Sequence, residues 1–131
     1  MQALLPEGWK KPIGYANGIL ADKGRVVFIA GQIGWNGDQV FESDQLGPQF
    51  EQALKNIIDV LAEAGGKPEH ICRITGFCTD KKAYLATRRD LGGIWKRLMG
   101  THYPAMSMVF VSDLLDEPAM IELEATAVIP D

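Results

Sequence analysis

The chain has 131 residues, 47% of them hydrophobic and 23% charged, with a formal net charge of −4. That length builds one domain, residues 1–131, with a full core and leaves no room for two; the composition is globular rather than disordered. The acidic balance argues against a nucleic-acid partner, because phosphate binding needs clustered basic charge.

No apolar run approaches the roughly 20 residues of a membrane span. Residues 1–7 lack the basic-then-apolar pattern of a signal peptide. The expected setting is the cytoplasm, with no membrane partner.

Residues 17–21 and 25–33 are short apolar runs joined by Asp22-Lys23-Gly24, a hairpin signal. Asn36-Gly37-Asp38 marks a second turn, leading into a short strand at Gln39-Val40-Phe41. Then the period changes. Phe50, Ala53, Leu54, Ile57, Ile58, Leu61 and Ala62 recur at helical spacing and make one apolar stripe. Pro48 suits the first turn of that helix and Gly65-Gly66 supply its stop.

Residues 70–78 read as a strand, and Thr79-Asp80 offer a cap to a second helix. This helix carries Tyr84, Leu91, Ile94, Trp95, Leu98 and Met99 on one side and ends at Gly100. Gly92-Gly93 inside it cost about 1 kcal/mol each relative to alanine, which predicts close approach of another backbone or a local break. Arg88, Arg89, Lys96 and Arg97 cluster on the same helix and are most simply its solvated face. Cys72 and Cys78 share the preceding strand, so their Cα atoms lie about 20 Å apart. That exceeds the roughly 7 Å a disulfide tolerates. Without clustered histidines the two thiols make a poor zinc site, and both read as small buried residues.

Residues 103–111 and 121–128 read as two further strands, adjacent to one another and linked by residues 112–118. The fold class is therefore α+β, a mixed sheet with two helices on one face, as right-handed crossovers require. Residues 26–30 and 108–111 are nevertheless apolar on both faces, as strands covered on two sides are. Two helices cover only one face. The remainder exceeds what a soluble monomer exposes, and another copy of the chain is the simplest cover. Side chains alternate along a strand, so Met106, Met108 and Phe110 share one face and Ser107, Val109 and Val111 the other. Likewise Glu122, Glu124, Thr126 and Val128 lie opposite Ile121, Leu123, Ala125 and Ala127, which read as core.

The strand start Pro104-Ala105-Met106-Ser107, followed by Ile121-Glu122-Leu123-Glu124-Ala125, resembles the YjgF/RidA family. These are the reactive-intermediate deaminases once called L-PSP endoribonucleases. Ile13-Gly14-Tyr15 resembles the family's N-terminal Ile-Gly-Pro-Tyr segment with its proline missing. Ala30-Gly31-Gln32 stands where the second strand usually ends in Ser-Gly-Gln, and Gln52 to Ile57 with Ala64-Gly65 resemble the first helix. The resemblance implies a chorismate-mutase-like fold and a homotrimer with a small-molecule cleft at each subunit interface. It implies no cofactor and no metal.

The family's functional positions carry over to Tyr15, the backbone of Gly31, Gln32 and Ile33, Met106, Met108 and Glu122. Its helix asparagine has no clear counterpart near residues 88–91. Glu122 is the expected catalytic residue, orienting or exchanging a proton with the water that attacks an imine carbon. Tyr15 is expected to hydrogen-bond the ligand. Met106 stands where relatives carry an arginine that grips the substrate carboxylate through hydrogen bonds of roughly 1.5–3 kcal/mol each. A thioether offers only a polarisable apolar lining.

Two readings follow from the resemblance. One is a hydrolytic deaminase whose substrate is less anionic or more apolar than 2-iminobutanoate; the other is a non-catalytic metabolite-binding or regulatory trimer. Ribonuclease activity is implied only by the old family name, and an acidic chain without a His-His or His-Lys constellation gives it little support. Glu124 reads as a structural ion-pair partner, His102 as a solvated loop residue and Trp35 as interface packing.

Overall fold

The computed structural model describes residues 1–131. Its elements are β1 (Gln2–Leu4), β2 (Gly18–Leu20), β3 (Gly24–Ile33), α1 (Leu46–Glu63), a 3-10 turn (Pro68–His70), β4 (Ile71–Cys78), α2 (Lys81–Met99), β5 (Ala105–Phe110) and β6 (Ile121–Pro130). The main sheet runs β3-β6-β4-β5. Its β3–β6 and β6–β4 pairs are antiparallel and its β4–β5 pair is parallel. Helix α1 packs on α2, β3 and β6. This is the α+β arrangement of helices on a mixed sheet that the sequence predicts.

Burial explains the layering. The α1 stripe (Ala53, Leu54, Ile57, Leu61) is fully buried, as are Ile71 and Ile74 of β4 and Ile121 and Leu123 of β6. Each such aliphatic side chain contributes about 1.5–3 kcal/mol on leaving water. Asp80 caps α2, its Oδ1 accepting from the Ala83 backbone N–H at 2.9 Å. Asp80→Ala is therefore expected to lower unfolding free energy by about 1 kcal/mol and Asp80→Asn by much less, read from urea midpoints.

Strand partners depart from the expected ones. β2 does not form a hairpin with β3; it pairs with β1, Gln2 opposite Leu20 and Leu4 opposite Gly18. The pairing of β3 with β6 instead carries Ile29 into the core against a long partner, which a three-residue β2 offers nothing to match. Nor are β5 and β6 adjacent, because β4 lies between them. Gln39-Val40-Phe41 forms no strand beyond one bridge, Trp35 to Phe41. Gln39 adopts φ 60°, which interrupts an extended run, and the Asn36 side chain accepts from the Asp38 and Val40 N–H groups.

Gly92-Gly93 neither break α2 nor meet another backbone; a Cβ built on either has nothing within 4 Å. Both cysteines are free, but only Cys78 is buried. The half-buried Cys72 lies at a register shift between Ile71 and Arg73. Burial pushes both thiols up from the ordinary cysteine range.

The face away from the helices is open. Phe28 is 82% exposed there and Val26 53% exposed on the β3 edge, and Val109 is exposed on the far edge strand, β5. No helix is long and apolar enough to cross a membrane.

Candidate functional site

Strand register decides where the predicted site residues go. β5 runs parallel to β4 with Met106 beside Ile74 and Met108 beside Gly76, which turns both methionines toward the helices. Gly76 gives the Met108 side chain its room: a Cβ there would lie 2.5 Å from the Met108 methyl and 2.8 Å from its sulfur, and would push that flexible end aside. The Ala16 N–H donates to the Pro104 carbonyl at 3.0 Å and so holds Tyr15 beside the start of β5.

Tyr15, Met106 and Met108 consequently line one hollow of about 540 Å³, with α2 as its other wall. Part of that wall is a parallel stack of Trp95 on Tyr103, with centroids 5.9 Å apart and planes 9° apart. The Trp95 indole N–H donates to the His102 carbonyl at 3.1 Å. His102 is not merely solvated: its Nε2 lies 2.7 Å from the Ile71 carbonyl, which can only accept, so Nε2 carries the proton. Burial pushes the Tyr84 phenol up from its ordinary range, and the Arg88 charge nearby partly opposes this.

Glu122 is on the other side of the sheet. It pairs with Phe77 across the β4–β6 ladder, facing away from the helices, and is half-buried. A bulge in β3 between Ile29 and Gln32 lifts Ala30 and Gly31 out of the ladder. Gly31 then lies directly over the carboxylate, where a Cβ would come 2.5 Å from Glu122 Oε2. Only glycine fits. The Gln32 side chain turns back to the Ala30 carbonyl at 3.1 Å. Ile33 is buried, and its carbonyl accepts from Asn56 Nδ2 at 3.2 Å; the same nitrogen donates to the Trp35 carbonyl at 2.7 Å.

The ion pairs of the protein involve the N-terminus with Asp22 and Glu51 with Lys55 and Arg97. Glu122 is in none of them. Neither is Glu124, which is exposed beside Arg73 and Thr75 in a shallow hollow of the open face. The expected structural ion pair of Glu124 is not formed.

Within one protomer, then, the site residues fall into two groups: Tyr15, Met106 and Met108 on the helix side, and Gly31 and Glu122 at the open face, with Gln32 paired to the core residue Leu123 and Ile33 buried. Residues of α2 that the sequence reading kept outside the site join the first group. The basic cluster of α2 is exposed throughout, as expected; within it Arg97 bonds Glu51 at 2.7 Å, and Arg88 and Lys96 lie along the rim of the hollow. The spacing of Tyr84, Arg88, Gly92 and Lys96, four residues apart each time, was the available signal that they follow one another along the helix.

Comparison with known proteins agrees with this architecture. The family model described as Endoribonuclease L-PSP matches residues 11–129. A crystal structure of a conserved Rid-family protein of unknown function from Yersinia pestis superposes with a TM-score of 0.86 at 29% identity, covering 98% of each chain. A YjgF-family structure from Mycobacterium tuberculosis gives 0.65 at 26% identity, over 89% of this chain and 88% of that one. Protein Mmf1, mitochondrial, of Saccharomyces cerevisiae is 26% identical over 98 residues, 75% of this chain but 63% of that protein. With the family pattern matched along residues 11–129 and the fold shared throughout, the chain belongs to the YjgF/RidA family, the L-PSP endoribonuclease family of older naming.

Proposed function

We propose that this protein is a hydrolytic deaminase of the RidA type. It would act on the C=N bond of an enamine or imine, in a cleft completed when copies associate as a homotrimer. The observation that carries this reading is the splitting of the site. A carboxylate without an ion-pair partner is seated under Gly31 at the edge of an apolar open face, and a ligand-sized hollow containing Tyr15 lies behind the sheet. Association through the open face would bury Phe28 and Val26 and bring the carboxylate of one copy toward the hollow of the next.

The chemistry asks little of the protein. Glu122 accepts a proton from water as the water oxygen bonds to the imine carbon; the C=N electron pair moves onto nitrogen, which then takes that proton from the Glu122 carboxyl. Glu122 next takes the hydroxyl proton of the carbinolamine and passes it to the departing nitrogen as the C=O bond forms and the C–N bond breaks, releasing ammonia and the carbonyl compound. The Tyr15 phenol orients the substrate, and the methionines pack its apolar part.

The second reading, a non-catalytic metabolite-binding trimer, draws on the thioether at position 106, which binds apolar groups without supplying chemistry.

Imines generated in situ by an amino-acid oxidase, with ammonia release followed over a panel of amino acids, separate the two. The expected result is acceleration, greater for large apolar imines than for small ones, by a species three times the chain mass in analytical ultracentrifugation. No acceleration on any imine leaves the binding reading, and a monomer removes the shared cleft.

A further inference from the structure

We infer that the cation missing from strand β5 at Met106 is supplied from the opposite wall of the hollow by Arg88 of α2, making this a site for an organic anion with an apolar tail. The inference deepens the proposed ligand site but does not depend on turnover.

Arg88 and Lys96 both line the hollow, and no acidic residue does. Both are exposed at its rim and without an ion pair, as are most of the 13 lysines and arginines of the chain, so it is their place on this wall that sets them apart. Arg97, on the same helix, has found Glu51. An unpaired guanidinium beside a concave, partly aromatic wall is the arrangement that receives a carboxylate bidentately.

The wall is also shaped for it. Arg88, Gly92 and Lys96 succeed one another at four-residue intervals, the two cations about 12 Å apart along the axis. Glycine weakens a helix interior, and no tight contact here requires one, since a Cβ on Gly92 would meet nothing within 4 Å. What its bare backbone provides is open floor between the cations. Facing it are the Met106 and Met108 thioethers, with the Trp95–Tyr103 stack alongside. A hollow of about 540 Å³ exceeds what a four-carbon imino acid fills and falls in the range of ordinary ligand pockets.

The consequence for specificity reverses the one drawn from Met106 alone. Loss of the strand arginine does not make the ligand neutral; it moves the anionic end to the helix and gives the strand side to the apolar end. Arg88 is thus a specificity-determining residue that family alignment of the β5 motif does not reveal.

Phenylacetate and its neutral isostere phenylacetamide test this on the full chain labelled with 13C at the methionine methyls. Phenylacetate is expected to shift the Met106 and Met108 methyl resonances, and phenylacetamide to bind at least about tenfold more weakly, as loss of one charge-assisted contact predicts. Arg88→Gln should abolish that preference for the acid, Arg89→Gln should not, and Met106→Arg in the Arg88→Gln background should restore it. The inference is overturned if neither methyl moves with phenylacetate, if the amide binds as tightly as the acid, or if Arg88→Gln leaves the preference intact. A cation-dependent methyl shift without ammonia release removes the hydrolase reading only. Ammonia release with an Arg88→Gln variant that still prefers the acid removes this inference only.

Discussion

Glu122→Gln is expected to slow ammonia release from an accepted imine by about 10²–10⁴-fold, the usual contribution of a positioned general base. Glutamine keeps the shape of the side chain and still fits under Gly31, so the melting temperature and the sedimenting mass should stay as in the wild type. What it loses is the ability to accept a proton from water. The loss should therefore fall on kcat, with KM nearly unchanged, as for an interaction made only in the transition state.

Glu124 provides the control. It lies two residues along the same strand, faces the same side and is more exposed, yet Gly31 does not cover it. Glu124→Gln should change kcat by no more than about twofold, in keeping with a solvated surface carboxylate. Equal effects of the two substitutions would show that a general negative potential on the open face matters, and that Glu122 has no individual role in handling the water.

The distinction between these glutamates was half-legible in the sequence. Alternation along β6 places both opposite Ile121 and Leu123, and that holds. The bulge that brings Gly31 over only one of them depends on how β3 meets β6, which no local pattern encodes. The helices were legible for the opposite reason. Pro48 within the first turn of α1, the glycines beyond its end and the Asp80 cap all act within a few residues of where they stand.

Strand pairing is the recurring difficulty. Asp22-Lys23-Gly24 is good turn chemistry, yet β3 gains more by burying Ile29 against β6 than by folding back on three residues. The same problem hid the geometry of the site. Whether Met106 and Glu122 face the same way depends on β4 standing between their strands, and it puts them on opposite sides. Arg88 reads from sequence as one member of a solvated basic cluster, and it is exposed; what sets it and Lys96 apart from Arg89 is that β5 and Tyr15 form a hollow against their side of α2.

Gln49→Leu is expected to cost about 3 kcal/mol of unfolding free energy, although leucine is close in size and more hydrophobic. Gln49 is 1% exposed and has no unsatisfied atom. Its Nε2 donates to the Ser43 and Pro118 carbonyls, both at 3.1 Å, and its Oε1 accepts from the Met120 N–H at 2.8 Å. One side chain on α1 thereby ties the approach to that helix to the loop that enters β6. Leucine would strand three backbone groups, each costing about 1–3 kcal/mol when left without a partner. Against a typical stability of about 5–15 kcal/mol this is a large fraction.

Alanine would fare no better, since it adds a cavity beside Gly34, whose own Cβ would lie 2.6 Å from the Gln49 Cβ. The urea midpoint should fall with the m-value unchanged, and a loss below about 1 kcal/mol would mean that water reaches the freed backbone groups. The effect should also extend to catalysis. Met120 is followed directly by Ile121 and Glu122, so freeing its N–H loosens the start of the strand that aims the carboxylate. At temperatures where Gln49→Leu remains folded, ammonia release should therefore fall further than the folded fraction does, by up to about 10²-fold for a displacement on the order of 1 Å. A variant that loses stability but keeps full activity per folded molecule would show that the Gln49 bonds hold the loop without helping to place Glu122.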